Sequence, residues 1–256
     1  MQSSSLIINR DNKDSKRISI ITVCYNAVET LPATLKSIEE QSSDEFEFVV
    51  VDGSSNDGTL LLLEEHSGLI DRMISEPDKG IYDAMNKGIK LSRGKFLWFL
   101  NAGDSFHDSS TIDSLFRKMN LNPEAAIFYG DAMLVDQNRK ELGLRRGSAP
   151  GKLNLESLQF GMDVCHQAFL VKRDVCQLYY TSYPLAADID WMIRILKQSG
   201  EVSKTYLIFC NFLVGGMSSE NIYRSWIDRY KVLRKHFGFW RNLKNHFRIT
   251  SRTLGF

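Results

Sequence analysis

The chain has 256 residues, with 32 Lys plus Arg against 31 Asp plus Glu and a formal net charge of +1. Hydrophobic residues make up 43% and charged residues 25%. These ordinary proportions exclude a disordered chain, a collagen-like repeat and a small disulfide scaffold. The length suits one large domain or two small ones with a substantial core.

Residues 1–16 are polar and are expected to be a flexible N-terminus. They contain no apolar stretch of the kind that makes a secretory signal. The β-branched run from Ile18 to Cys24 predicts a buried strand. Asn26 to Thr30 turns the chain, and Leu31, Leu35 and Ile38 fall at helical spacing, predicting a helix over 31–40. A second strand is expected over 46–51, ending in Asp52-Gly53-Ser54-Ser55-Asn56-Asp57-Gly58, and a helix over 59–65. The alternation continues with strand 70–75, helix 82–91, and strand 95–100 ending in Asn101-Ala102-Gly103-Asp104. Helix 111–120 and strand 126–129 follow. Beyond them the pattern is less regular, with strands near 167–171 and 205–209 and a helix over 188–198.

This alternation implies an α/β fold, with a mostly parallel central sheet flanked by helices. Ligands of such sheets bind beyond the carboxyl ends of the strands. Tyr25 and Asn26, the turn from Asp52 to Asp57, Asp78 and Lys79, and Asn101 to Asp104 all fall at that edge. The longest apolar runs, such as Phe96 to Leu100, are far short of the ~18–20 residues that span a bilayer. Cys24, Cys165, Cys176 and Cys210 are isolated, so a zinc site or disulfide framework is not expected and a reducing cytoplasm fits.

Three familiar signatures are absent: G-x-G-x-x-G after the first strand, G-x-x-x-x-G-K-[ST], and H-E-x-x-H. Dinucleotide dehydrogenases and P-loop NTPases are therefore disfavoured. What stands instead is a run of three motifs in order. Val49-Val50-Val51-Asp52-Gly53-Ser54-Ser55-Asn56-Asp57-Gly58-Thr59 is followed by Asp78-Lys79-Gly80-Ile81-Tyr82-Asp83-Ala84-Met85-Asn86-Lys87-Gly88, then by Phe99-Leu100-Asn101-Ala102-Gly103-Asp104. Over roughly residues 17–215 the sequence resembles the family 2 glycosyltransferases, inverting enzymes of the GT-A fold. Within them it looks most like bacterial exopolysaccharide transferases of the colanic acid type.

The resemblance implies a nucleotide-binding half over 17–105 and an acceptor half over 106–222. It assigns Tyr25, Asn26, Asp52, Ser54, Asp57, Asp78, Lys79, Asn101 and Asp104 to a UDP- or GDP-sugar. A strand-end carboxylate such as Asp52 accepts a base N–H, and an aromatic such as Tyr25 stacks on the base. The alternatives are a turn or cap carboxylate for Asp52 and a rim or core aromatic for Tyr25. A departing nucleoside diphosphate is stabilised by a divalent cation, Mg²⁺ or Mn²⁺. Where the family carries an acidic D-x-D run, this chain keeps only Asp104, which is the expected metal carboxylate; the alternative is a turn residue. Lys79 and the following helix N-terminus offer positive potential to the donor, while Asp83 on that first turn complements the dipole.

Direct displacement at an anomeric carbon needs a base to take the acceptor proton. Asp188-Ile189-Asp190-Trp191-Met192-Ile193-Arg194-Ile195 resembles the family's E-D-x-x-L-x-x-R-L segment. Matching Arg194 puts Asp188 on the catalytic Asp and Ala187 on the usual Glu. Asp190, two residues along the helix start, points elsewhere and is the second candidate on the acceptor side. Both acids also suit a plain helix N-terminus. His166 in Cys165-His166-Gln167-Ala168-Phe169 resembles an acceptor-side residue, with a buried structural histidine as the alternative. Gly215-Gly216-Met217-Ser218 resembles a loop that closes near the donor; the alternative is an ordinary turn.

The segment 223–256 is basic. From Arg224 onward there are nine Lys or Arg and one acid, Asp228, for a net charge of +8, leaving −7 on the rest. Trp226, Tyr230, Leu233, Phe237, Trp240 and Phe247 recur at helical spacings among these cations, with Gly238 as a break. A basic amphipathic helix with Trp and Phe suits peripheral contact with an anionic membrane; a packed helix or an oligomer contact is the alternative. No nucleic-acid module accompanies the tail, so no nucleic acid is expected. The expected activity is sugar transfer to a saccharide or polyprenyl-linked hydroxyl acceptor at the cytoplasmic membrane face. Alternatives are a nucleotidyltransferase, disfavoured because Cys24-Tyr25-Asn26-Ala27 is no glycine-rich basic loop, and a catalytically lapsed nucleotide-sugar scaffold.

Overall fold

The computed structural model describes residues 7–10, 16–145, 147–215 and 221–245. In chain order its elements are β1 (Ile7–Asn9), β2 (Ile18–Cys24), α1 (Leu31–Glu39), β3 (Phe46–Asp52), α2 (Thr59–Glu65), β4 (Arg72–Ser75), α3 (Ile81–Leu91), β5 (Phe96–Phe99) and β6 (Ser105–Phe106). Then come α4 (Thr111–Leu121), β7 (Ala125–Val135), β8 (Glu141–Leu144), the single turn α5 (Leu155–Leu158), β9 (Phe169–Lys172), α6 (Ala187–Gln198), β10 (Glu201–Leu213) and α7 (Ile222–Phe237).

One ten-stranded sheet runs in the order β1-β4-β3-β2-β5-β9-β7-β10-β6, with β8 paired to β7. The strands β4, β3, β2 and β5 are mutually parallel, as the strand–helix alternation requires. Every residue of β2 is buried. Ile21 and Val23 belong to the core on one face, Ile18 and Ile20 to the core on the other. A strand covered on both faces reads as an unbroken apolar run rather than an alternating one. Helix α3 lies close on the sheet, because a Cβ on Gly88 would stand 2.5 Å from Ile21 Cγ2. Glycine at that position lets the helix approach.

The second half departs from the simple alternation. Strand β9 enters antiparallel between β5 and β7, and β10 pairs parallel with β7 and antiparallel with β6. The expected strand 126–129 is the early part of an 11-residue strand, and 205–209 is the middle of a 13-residue one. The expectation of a flexible 1–16 fails at Ile7–Asn9, which form an edge strand antiparallel to β4. Asn9 is hydrogen bonded to Arg72, and Arg10 donates to the carbonyls of Ser67 and Gly68, so this short strand is tied at one end by side chains.

Within the C-terminal segment the described residues 222–237 and 239–245 are helical, but their faces are not those the periodicity indicated. Val232 and Leu233 are fully buried, and Phe237 packs on the core beneath α6. Trp226 and Trp240 are 51% and 79% exposed. Gly238, at φ +83, breaks the helix before it resumes over 239–245, which resets the angular phase of the later residues. Phe247 lies outside the described residues.

Candidate active site

The turn after β3 is built around Asp52. Its side chain is fully buried and accepts from Ser55 N at 3.0 Å, Ser55 Oγ at 2.5 Å and Ser75 Oγ at 2.6 Å. A carboxylate so enclosed ties the ends of β3 and β4 together and offers no exposed oxygen to a ligand. For the expected contact of Asp52 with a base, the structure shows an enclosed acid: the turn folds back over it, with Ser54 at φ +63 making the bend. Asp57 and Asn26 stitch the neighbouring loops. Asp57 accepts from Val28 N at 3.1 Å and from Thr59 Oγ1 at 2.6 Å, and the Thr59 hydroxyl holds its carboxyl below the usual range. Asn26 Oδ1 accepts from Asn56 N at 3.0 Å, and Asn26 N donates to Ser55 Oγ at 2.8 Å.

Tyr25 and the half-buried Asp78 meet at this edge. Tyr25 is 64% exposed. A Cβ added to Gly53 would stand 2.5 Å from Asp78 Oδ2 and 3.2 Å from Tyr25 Cδ2, so the aromatic ring and the acid converge over a glycine. Asp78 Oδ1 accepts from Gly80 N at 2.7 Å. Lys79 is exposed, and its backbone N–H donates to Asp83 Oδ2 at 3.0 Å, so Asp83 serves the N-terminus of α3.

Further along the same strand edge lies a cavity of about 380 Å³. Asn101, Asp104, His166 and Asp188 line it together, from the end of β5, the turn before β9 and the first turn of α6. Asp188 Oδ1 accepts from Ile189 N at 2.9 Å. Beside it stands Tyr82, whose phenol is pushed well above its usual range by burial and then by the Asp188 carboxylate. Tyr82, Tyr179 and Trp191 stack in sequence, with centroids 5.4 and 4.8 Å apart. His166 is buried against this ladder, its Nε2 2.6 Å from the Tyr179 hydroxyl. Burial lowers the imidazole to about 4, so it is neutral at pH 7.

Asp190 is not part of this cavity. It is fully buried and turned toward α7, 2.6 Å from Arg194 Nε, 3.2 Å from Lys235 Nζ and 2.9 Å from His236 Nε2. Burial alone would raise its carboxyl, but His236, Arg194 and Lys235 outweigh it and hold the group at about 2. Two residues along a helix is a rotation of about 200°, which separates Asp190 from Asp188.

Asp104 is 4% exposed; Oδ1 accepts from Leu213 N at 3.0 Å and Oδ2 from Gln167 Nε2 at 2.9 Å. Burial raises its carboxyl to about 7, against the opposing effect of those hydrogen bonds and of Arg145 and Arg139. Among the described residues no three His, Cys, Asp or Glu side chains converge as a metal cluster. The donors available in this turn are the Asp104 carboxylate and Asn101 Oδ1, which is buried with no hydrogen-bond partner. A carboxylate with an orphaned amide oxygen fits a Mg²⁺ or Mn²⁺ ion whose remaining positions go to phosphate and water. Gly215 borders the cavity, whereas Gly216, Met217 and Ser218 of the expected closing loop lie outside the described residues.

Arg145, Gln167 and Tyr82 line the cavity without having been marked as site residues in the sequence. Gln167 and Tyr82 stand beside marked residues, and their neighbourhood was the available signal. Arg145 follows β8, a strand with no signal in the periodicity, and nothing local announced it.

The family model "Glycosyl transferase family 2" matches residues 19–178. A PGL/p-HBAD biosynthesis glycosyltransferase of Mycobacterium bovis is 31% identical over 219 residues, covering 82% of this chain and 82% of the relative. The amylovoran biosynthesis glycosyltransferase AmsB of Erwinia amylovora is 36% identical over 94 residues, 35% of this chain and 31% of the relative. Among solved structures, Staphylococcus aureus TarS 1-349 superposes with a TM-score of 0.66 at 15% identity, over 92% of this chain and 73% of that one. The mannosyltransferase PcManGT of Pyrobaculum calidifontis, solved with GDP-Man and Mn²⁺, gives 0.62 at 17% identity, over 90% and 65%. With a parallel strand edge, a cavity holding two acids, and this agreement across most of its length, the chain belongs to glycosyltransferase family 2 and is a nucleotide-sugar glycosyltransferase of the GT-A type.

Proposed function

We propose that this enzyme transfers one sugar, with inversion, from a UDP- or GDP-sugar to a hydroxyl of a saccharide or polyprenyl-linked acceptor in bacterial surface polysaccharide synthesis. The carrying observation is that Asp104 and Asp188 line one cavity at the carboxyl edge of the sheet. Relatives named for PGL/p-HBAD and amylovoran biosynthesis, and structural neighbours solved with UDP, UDP-GlcNAc and GDP-Man, support the choice of donor and pathway class. Nucleotidyl transfer finds no comparable support.

Asp188 takes the proton of the acceptor hydroxyl as its oxygen bonds to the anomeric carbon. The bond from that carbon to the diphosphate oxygen breaks, and its electron pair leaves with the nucleotide. Tyr25 and Asp78 meet the nucleobase, with Gly53 as the floor and Asp52 holding the turn beneath. Asn26, Ser54 and Asp57 shape that turn, and Lys79 faces the donor from its exposed position. Asp104 and Asn101 hold a divalent cation, which offsets diphosphate charge when bound. His166, neutral, lines the acceptor side; Asp190 supports the helix that carries Asp188. Residues 17–105 form the nucleotide half, 106–222 the acceptor half and 223–256 the basic segment.

Among the described residues no helix is long and apolar enough to cross a membrane. Peripheral contact is supported by Tyr223, Trp226, Ile227, Phe239 and Trp240, all exposed, among Arg224, Arg234, Arg241 and Lys244. The cysteines are unpaired, as suits a reducing cytoplasm.

The test is a panel of UDP- and GDP-sugars assayed for slow hydrolysis and for transfer to soluble acceptor analogues, with UDP and GDP titrated with and without Mn²⁺. One donor hydrolysed and its nucleotide bound supports the reading. Neither nucleotide bound under either condition leaves a lapsed scaffold.

A further inference from the structure

A nucleoside diphosphate leaves this cavity carrying dense negative charge, yet the turn that would hold a metal supplies one carboxylate, Asp104, whose two oxygens already accept from Leu213 N and Gln167 Nε2. Another cation is already built into the wall. Arg145 lines the cavity with Asp104 and Asp188, and His166 is neutral at pH 7, so among the described lining residues Arg145 alone carries positive charge there.

Its placement is fixed from three sides. Its backbone N–H donates to Ala132 O at 2.8 Å, continuing the β7–β8 hairpin. Its guanidinium lies over the Phe212 ring, 4.6 Å from the centroid. Its charge is felt by Asp104, Cys165 and His166. Its side chain also hydrogen bonds to Cys165, and among the described residues no carboxylate lies within ion-pairing distance of it, so the guanidinium fork keeps N–H donors for a further acceptor. A planar guanidinium with free donors matches paired phosphate oxygens.

We propose that Arg145 binds the donor's diphosphate and stabilises it as it leaves, so that nucleotide binding persists without a divalent cation. This rests on the nucleotide-sugar reading above. As the anomeric C–O bond breaks, the electron pair settles on the diphosphate, and Arg145 meets the added charge with hydrogen bonds that strengthen as it grows.

Calorimetric titration of the full chain with UDP and GDP, in excess EDTA and again with Mn²⁺, tests this. The wild type is expected to bind one of them in EDTA. Arg145→Ala and Arg145→Gln should weaken that binding about 10–100-fold, the range of a lost charged hydrogen bond. Arg145→Lys should recover part of it. Binding of the matching nucleoside, which has no phosphate, should be unchanged in all three variants. Wild-type binding with Mn²⁺ but none in EDTA overturns the inference and leaves the nucleotide-sugar reading intact. So does EDTA-resistant binding undiminished in both Arg145→Ala and Arg145→Gln. Loss of nucleoside binding along with the nucleotide assigns Arg145 a structural role and overturns it too. No binding of either nucleotide under any condition defeats both readings.

Discussion

Gln167 Nε2 donates to Asp104 Oδ2 at 2.9 Å, while the backbone carbonyl of Gln167 accepts from Trp98 Nε1 at 2.7 Å. Trp98 is fully buried, packed at 5.0 Å against both Phe106 and Phe209. The candidate metal carboxylate is thus oriented by an amide that is itself anchored to the core. Gln167→Leu keeps the bulk and removes the donor. Outer-shell losses of this kind lower metal affinity about 10–100-fold. The expected outcome is weaker Mn²⁺-dependent UDP or GDP binding by that factor, read by titration, with the thermal transition retained. Unchanged Mn²⁺ dependence would remove Gln167 from any role at the metal.

Asp104 also sets a pH dependence. Its carboxyl lies at about 7 in the folded chain against an ordinary 3.8, so the folded state holds a proton that the unfolded state has already released. Stability contributed by that group is present at acid pH and is lost as pH rises from about 4 to about 7. A metal needs the ionised form, so Mn²⁺-dependent nucleotide affinity should rise about tenfold per pH unit up to about 7 and then level. Asp104→Asn should flatten that limb. A limb that survives the substitution belongs to another group.

Asp188→Asn should leave donor binding close to wild type and lower transfer about 10²–10⁴-fold, the usual contribution of a positioned base. Single-turnover assays with saturating donor separate the two quantities. Turnover near the wild-type rate would show that Asp188 is not the base.

The Asp190 cluster joins α6 to α7 away from the chemistry. Removing one partner from a buried charge cluster costs about 3–5 kcal/mol, so Asp190→Ala should lower the melting temperature while weakening donor affinity little. In the wild type the carboxyl is held at about 2, below its ordinary 3.8. Its contribution is present above about pH 4 and is lost as pH falls toward 2. Melting curves of wild type and variant should therefore converge in acid.

Trp226→Ser with Trp240→Ser should reduce co-sedimentation with phosphatidylglycerol vesicles and leave transfer to a soluble acceptor unchanged. Both side chains are already exposed, so little stability is lost with them. Vesicle binding equal to wild type would exclude these helices as the contact.

The first half of the fold was legible because each parallel strand is buried on both faces and each helix on one, so hydrophobic spacing reports them directly. Helix α2 spans the residues the spacing predicted, Thr59–Glu65. Strands β6 and β8 and the ends of β7 and β10 were not legible, since two- to four-residue pairings leave no periodic trace and β8 is mostly exposed. The tail misled for another reason. Its apolar residues do recur at helical spacing, but Gly238 breaks the helix, so Leu233 and Trp240 face different surroundings.

Local patterning and motif order were sufficient for the architecture and for the strand edge where a ligand would sit, because these depend on spacing along the chain, while Asp104 and Asp188 became candidates through the family resemblance. Three-dimensional packing alone decided that Asp52 is enclosed while Asp78 meets Tyr25 over Gly53, that Asp190 turns to α7, and that Arg145 reaches the wall beside Asp104. Burial and the meeting of distant side chains arise from how the strands and loops close on one another, and no stretch of sequence carries that information by itself.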